Sequence, residues 1–281
     1  MVTGCIFRRD LASQENTGGV SLRSPRADSD DTRRLYDGAC AGDVTAGPTP
    51  RTERQTVGPS TYDEIADWYE KEFLGDRLDN GLPAADPIGI DKALSDLLRR
   101  GQGRCLEIGC GTGIHAARIR QLGWTPIGVD VSAGMLRYAS GRLAISLADG
   151  AKLPFPSRVF PRVVAVMIHT DVADYAAIVN EAARVLEPGG VFVHVGVHPC
   201  FCGGFADRSD PEAIVIHDGY LHRYWTKESW TDRGVRDKVG ATHLPLTELL
   251  RLFVDAGLRI EKSLEGGKPT PAVLAIEARK S

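Results

Sequence analysis

Three carboxylates and a run of glycines share one stretch of the chain. Glu107 stands two residues before the turn Gly109-Cys110-Gly111-Thr112-Gly113, Asp130 closes the apolar run TPIGVD, and Asp149 ends LAISLAD. Glycines between a strand and a helix let backbone amides come close to a ligand, and a carboxylate at a strand's carboxyl end can accept hydrogen bonds from sugar hydroxyls. Each such charge-assisted bond is worth about 1.5–3 kcal/mol. The spacing therefore suits a nucleotide-like ligand. The bland alternative is a tight strand-to-helix turn that binds nothing.

The residue types narrow the ligand. No Gly-Lys-Ser/Thr follows the turn, so it is not a phosphate-binding P-loop. The dinucleotide pattern GxGxxG would need its third glycine where Ile114 stands. Asp130 would serve the ribose of NAD or of S-adenosylmethionine alike. Asp149 separates them, because a carboxylate there can accept from an adenine amino group, with the Gly150 backbone beside it. Three carboxylates suit a cationic sulfonium and ammonium better than a pyrophosphate. The helix after the glycines would turn its N-terminus toward the methionine carboxylate.

A second set of residues could act on an acceptor. His169 and Asp171, in MIHTDVADY, fall where a strand-end loop should meet it. His169 is the candidate general base, and a pocket-shaping histidine is the rival reading. His194, His198, Cys200 and Cys202 invite a metal, but their crowding matches no zinc spacing, and no metal is expected. Arg233, Arg236 and Lys238 read as a solvated face, with an acidic acceptor as the alternative.

Alternating elements must position these groups. STYDEIADWYEKEFL carries capping-box character at Ser60 or Thr61 with Glu64, and Ile65, Trp68, Tyr69 and Phe73 share one helical face. A second helix is expected from about Ile88 to Arg100. Strands then alternate with helices: RCLEIG, GIHAARIRQLG, TPIGVD, SAGMLRYASG, LAISLAD, RVVAVMI, DYAAIVNEAARVLEPGG and VFVHVGV. Continuous apolar strands separated by helices predict a doubly wound α/β sheet, mostly parallel, with helices on both faces. PLTELLRLFVDAG then precedes two strands joined by a Gly/Pro turn.

Composition limits the remaining choices. The chain has 281 residues, 42% hydrophobic, with a formal charge of −3 and a pI near 6.2. That balance offers no general attraction to nucleic acid or anionic membrane, so neither partner is expected. Six cysteines form no CxxC pair, which suits reduced thiols and a cytoplasmic setting. No apolar run is long enough for a bilayer span and no secretory signal opens the chain. Residues 1–58 are rich in Gly, Ser, Thr, Pro, Asp and Arg, so a disordered tail is expected there, with one domain over 59–281.

LEIGCGTG, GVDVSAGML, LADGAKLPF, VNEAARVLEPGGVFV and the terminal helix with paired strands resemble the class I S-adenosylmethionine-dependent methyltransferases. The nearest group is the small-molecule one with the ubiquinone-biosynthesis-type domain, and the resemblance covers about residues 60 to 280. It implies a Rossmann-like sheet of seven strands with the last antiparallel. It places Glu107, Gly109, Cys110, Gly111 and Gly113 around the amino-acid end of S-adenosylmethionine. Asp130 would take the ribose with Val131 and Met135 alongside, and Asp149 and Gly150 the adenine. Met167 to His169 would border the reactive methyl, and Tyr62 and Tyr69 would line the pocket from above. Residues 198–243 would form an acceptor lid, with His243 facing the pocket.

The implied activity is methyl transfer to a small-molecule acceptor by a monomer or homodimer, releasing S-adenosylhomocysteine. A non-catalytic binding protein of the same fold and a nicotinamide-dependent oxidoreductase are the alternatives. Two departures stand out: the family's usual Asp before the fourth strand is replaced in Phe160-Pro161-Arg162-Val163, which predicts altered strand entry, and the stretch from Asp130 to Asp149 is slightly short, which predicts a clipped helix between them.

Overall fold

The computed structural model describes residues 60–75, 86, 88–210, 213–228, 234–268 and 270–281, with the backbone of Cys5–Ile6, Leu78–Asp79 and Leu82–Pro83. The tail expected over 1–58 lies outside the described residues, apart from Cys5–Ile6, whose backbone pairs antiparallel with Val215–Ile216.

Seven strands form the main sheet: β1 (Gly103–Ile108), β2 (Trp124–Asp130), β3 (Ala144–Leu147), β4 (Phe160–Val166), β5 (Leu186–Val197), β6 (Leu258–Gly266) and β7 (Val273–Lys280). Their order is β3-β2-β1-β4-β5-β7-β6. The first five run parallel. β7 lies between β5 and β6 and is antiparallel to both, as the family's fold implies. After β3 the chain returns to the far side of β1, so β1 and β4 flank the switch point where ligands of such sheets bind.

Period-two alternation sorts the side chains of each strand to opposite faces. Leu106, Ile108, Val163 and Ala165 pack on one face with Tyr175, Ile178 and Val179 of helix α5 (Tyr175–Val185) and with Leu249 and Phe253 of the terminal helix, Leu246–Asp255. Cys105, Val164, Val166 and Val193 pack on the other with Leu94, Leu97 and Leu98 of α2 (Ile90–Leu98) and Ile119 of α3 (Ala116–Gln121). Fully burying one such side chain is worth about 1.5–3 kcal/mol.

The first helix, α1 (Thr61–Trp68), is capped by the Ser60 side chain, which accepts from the Tyr62 amide. It continues as a π-helical turn over Tyr69–Leu74. The helix after β2, α4 (Ala133–Ala139), is short, as the brief interval between Asp130 and Asp149 predicts.

Two expectations needed adjustment. The helix read through Pro188 stops at Val185, and Leu186 is already extended and paired with Phe160. Pro188 disfavours helical backbone at Glu187, so the strand begins early. The register also shifts between Phe160 and Arg162. There the Arg162 guanidinium lies 4.8 Å over the Trp124 ring and Arg104 5.2 Å over Phe160. The missing Asp is thus accompanied by an irregular strand entry held by cation–π contacts.

Candidate functional site

The site grows from the end of β1. Glu107 is fully buried, and neither carboxylate oxygen has a hydrogen-bond partner. Burial, and then the nearby Asp130, push its carboxyl up to about 8. A buried carboxylate without a donor is costly, so this position is poised to hold a proton or meet a cation.

The glycine turn folds over β2. The amides of Gly109 and Cys110 both donate to the Val129 carbonyl, at 2.8 and 3.0 Å. The Gly111 amide donates to Asp130 Oδ2 and the Ser132 amide to Oδ1, each at 2.8 Å. Backbone amides from the glycine turn and from the start of the following helix thus fix the Asp130 carboxylate. Burial raises the Asp130 pKa, and the Ser132, Gly111 and Val131 amides oppose that shift.

Gly109 has φ +69°, and a Cβ there would lie 2.5 Å from Ile168 Cγ2. Gly111 has φ +53° and nothing within 4 Å of where its Cβ would stand. The first glycine is demanded by packing, whereas the second borders open space that a ligand could use. Gly113 lies against Leu143 and Ala139, and Gly150 against Ile108. Cys110 packs in a small cluster with Ala116, Leu136, Ala139 and Leu143, and burial raises its thiol pKa. Val131 is 43% exposed, and the exposed Asp149 accepts from the Ala151 amide at 2.8 Å.

Helix α1 caps this arrangement in a way the sequence did not disclose. Asp63 Oδ1 accepts from the Ser132 hydroxyl at 2.7 Å and from the Gly134 amide at 2.8 Å. Ser132 Oγ in turn accepts from the Met135 amide at 3.1 Å, and the Met135 side chain is buried. Arg142 reaches Glu70 at 2.5 Å and the Thr112 carbonyl at 2.8 Å, so the same helix braces the glycine turn. Tyr62 and Tyr69 meet edge to face with centroids 6.0 Å apart.

The end of β4 supplies the third side. Met167 adopts φ +60°, a conformation that strains a residue with a side chain. Its amide donates to the Val195 carbonyl at 2.7 Å. His169 is buried, with its ring 5.1 Å from His194 and 5.9 Å from Tyr175, and Nδ1 finds no partner. Burial, then the neighbouring His194, Arg236 and His243, hold it well below the usual imidazole range. It is therefore neutral near pH 7.

Two residues on, Asp171 accepts from the Tyr62 hydroxyl at 2.9 Å and from Arg236 of α6 (Val235–Val239). Arg236 also donates to Thr170 Oγ1 at 2.8 Å. The reading of Arg236 as part of a solvated face is overturned: it is 6% exposed and ion-paired. Lys238 sits over the Trp68 ring at 4.6 Å, and Arg233 lies outside the described residues.

The insertion borders a cleft whose lining includes His169, Cys202, Gly204, Thr226 and His243. His194 Nδ1 lies 2.7 Å from the Tyr175 hydroxyl. His198 Nδ1 accepts from the Cys200 amide, so its Nε2–H donates to Glu265 at 2.8 Å. The histidines and cysteines are thus engaged separately. Among the described residues, no group of three or more His, Cys, Asp or Glu is arranged to hold a metal ion.

Residues 106–194 match the family described as Methyltransferase domain. A demethylmenaquinone methyltransferase from Corynebacterium urealyticum is 34% identical over 88 residues, covering 31% of this chain and 38% of the relative. The chain therefore aligns with less than half the length of that relative. A solved S-adenosylmethionine-dependent methyltransferase from Mesorhizobium loti superposes with a TM-score of 0.58 at 24% identity, over 67% of this chain and 96% of that one. The [4+2]-cyclase SpnF superposes at 0.53 with 17% identity, over 79% and 97%. The class I methyltransferase resemblance read from the sequence thus holds in the family match and in the fold.

Proposed function

We propose that this chain, of class I methyltransferase fold, transfers a methyl group from S-adenosylmethionine to a small-molecule acceptor. The observation that carries the reading is Glu107, a buried carboxylate with both oxygens unpartnered at the switch point, one strand away from the braced Asp130. A cation fits there and an additional anion does not, which favours a sulfonium and ammonium ligand over a pyrophosphate.

Glu107 and the turn from Gly109 to Gly113 would hold the amino-acid end, with open space above Gly111. Asp130 would accept from the ribose hydroxyls, with Val131 beside them. Exposed Asp149 and the Gly150 backbone would take the adenine. Tyr62, Tyr69 and Met167 to His169 would enclose the sulfonium. S-adenosylmethionine supplies the methyl group, and the protein's own task is to position the reactants and exclude water. The demethylmenaquinone methyltransferase relative supports a small acceptor. Among the described residues no helix is long and apolar enough to cross a membrane, and Cys105, Cys110, Cys200 and Cys202 are free, which supports a cytoplasmic setting.

Calorimetric titration with S-adenosylmethionine, S-adenosylhomocysteine and NAD in parallel tests the reading. Micromolar binding of the first two alone is expected. Binding of NAD alone would replace it with the oxidoreductase, and silence from all three would favour a non-catalytic binding protein.

A further inference from the structure

The cleft beyond the cofactor site holds two histidines, and they differ in how they are held. His243 ends the short strand Ala241–His243, which pairs with Tyr224–Thr226. Its Nε2 lies 2.7 Å from the Tyr220 carbonyl oxygen. A carbonyl only accepts, so Nε2 carries the proton and Nδ1 of the neutral ring keeps its lone pair. The rings of Phe205, Tyr224 and Tyr220 surround it at centroid distances of 4.7, 5.4 and 5.6 Å. The Thr242 amide donates to the Thr170 carbonyl at 2.7 Å, pinning this strand to the loop that carries His169. His169 has no such anchor: Nδ1 is buried and unpartnered, and its edge packs on Gly196. Its tautomer is not set by any partner, whereas that of His243 is.

We propose that His243 is the general base of this cleft, taking through Nδ1 the proton of a hydroxyl on the acceptor. This rests on the methyltransferase reading above. The acceptor O–H bond breaks, its proton passes to Nδ1, and the oxygen keeps the electron pair. That pair forms the new O–C bond with the methyl group that S-adenosylmethionine supplies, while the S–C pair stays on sulfur. The imidazolium then returns its proton to solvent. The Tyr220 carbonyl accepts from Nε2–H throughout and interacts more strongly with the charged ring.

The groups facing His243 agree with the role. Burial lowers its pKa, and the Tyr220 carbonyl and then Glu248 from the terminal helix pull it back. His169 from the end of β4, held neutral, adds no charge near pH 7, and the Tyr220 and Tyr224 hydroxyls are themselves shifted upward. The ring is thus neutral and able to accept a proton at pH 7.

The test titrates 4-nitrocatechol, whose anion has its own visible band, into the protein with and without S-adenosylhomocysteine. In the wild type, nitrocatechol should bind largely as the anion at pH 6, and His243→Gln should lower the bound anion fraction at least ten-fold while S-adenosylhomocysteine still binds. Nitrogen-15 NMR of the wild type should show the Nε2–H tautomer of His243, with both nitrogens protonated once nitrocatechol is bound. An unchanged anion fraction in the variant, an Nδ1–H tautomer, or no nitrocatechol binding would each overturn the assignment. Loss of S-adenosylhomocysteine binding in the wild type would count against the cofactor reading alone. The NMR measurement stands even if the variant fails to fold.

Discussion

Asp63 and Ser132, far apart in sequence, share a hydrogen bond of 2.7 Å that makes the first helix the cap of the fourth. The Asp63 carboxylate also takes the Gly134 amide, so one side chain satisfies two donors at the start of α4. Replacing a capping Asp by Ala typically costs about 1 kcal/mol. Asp63→Ala should therefore lower the free energy of unfolding, read from urea denaturation, by that amount. The Ser132 hydroxyl and then the Gly134 amide hold its carboxyl below the usual range. The cap's contribution is therefore full above the unfolded-state pKa, near 3.9, and fades as pH falls through the lower folded value. Above pH 5 the variant's deficit should not change.

Arg236 and Asp171 form a pair that is mostly buried, with side-chain exposures of 7% and 16%. Removing one partner of such a pair strands the other charge. Arg236→Ala should cost about 3 kcal/mol in denaturant unfolding. Arg236→Lys should recover only part, since one ammonium cannot reach Asp171, Thr170 and the Gly240 carbonyl with a planar fork. Full recovery by lysine would show that charge alone matters here.

Glu107 gives a pH prediction of opposite sign to Asp63. Its folded pKa, about 8, lies above the unfolded value of about 4.3. Between those values the unfolded chain has lost a proton that the native protein keeps, so native stability falls as pH rises through that window. Asp130 is shifted in the same direction, so Glu107→Gln should flatten the decline without abolishing it. Melting temperatures of both proteins from pH 5 to 8 measure this, and parallel curves would refute it.

Asp130→Ala should weaken S-adenosylmethionine binding by about 1.5–3 kcal/mol, the worth of hydrogen bonds to a charged acceptor. Calorimetry reads this directly. Unchanged affinity would remove Asp130 from the ligand site.

Two glycines of the same turn should respond differently. Gly109→Ala drives a methyl into Ile168 and should lower stability markedly, whereas Gly111→Ala meets only the backbone cost of about 1–2 kcal/mol for a left-handed residue. If the open space above Gly111 is where the ligand sits, the second variant should lose affinity out of proportion to its stability. Thermal melts paired with S-adenosylhomocysteine titration separate the two effects.

The parts of the site legible in the sequence are those built within a few residues of the chain. The turn from Gly109 to Gly113 and the strand-end position of Asp130 follow from local spacing, and the structure places both at the switch point. Contacts made across long separations carried no local signal. Asp63 lies in the first turn of α1, and nothing near it in the sequence names Ser132 as its partner. Arg236 read as surface because its neighbours are polar, yet Asp171 and Tyr62 draw it inward. His169 stands in the loop that follows β4, where the spacing sets it. Its burial among His194, Tyr175 and Gly196 is a tertiary outcome that no spacing in MIHTDVADY expresses.

The interior place of β7 also bears on the order in which the sheet is completed during synthesis. β6 touches the sheet only through β7, which the ribosome makes later. Until β7 emerges, β5 presents an open edge of unpaired amides and carbonyls, and β6 has nothing to join. Val273, Ala275 and Ile276, fully buried in the finished protein, arrive only with that strand. The nascent chain therefore carries an aggregation-prone edge until nearly all of the domain has been made, and a chaperone that shields exposed strands would act on it in that interval.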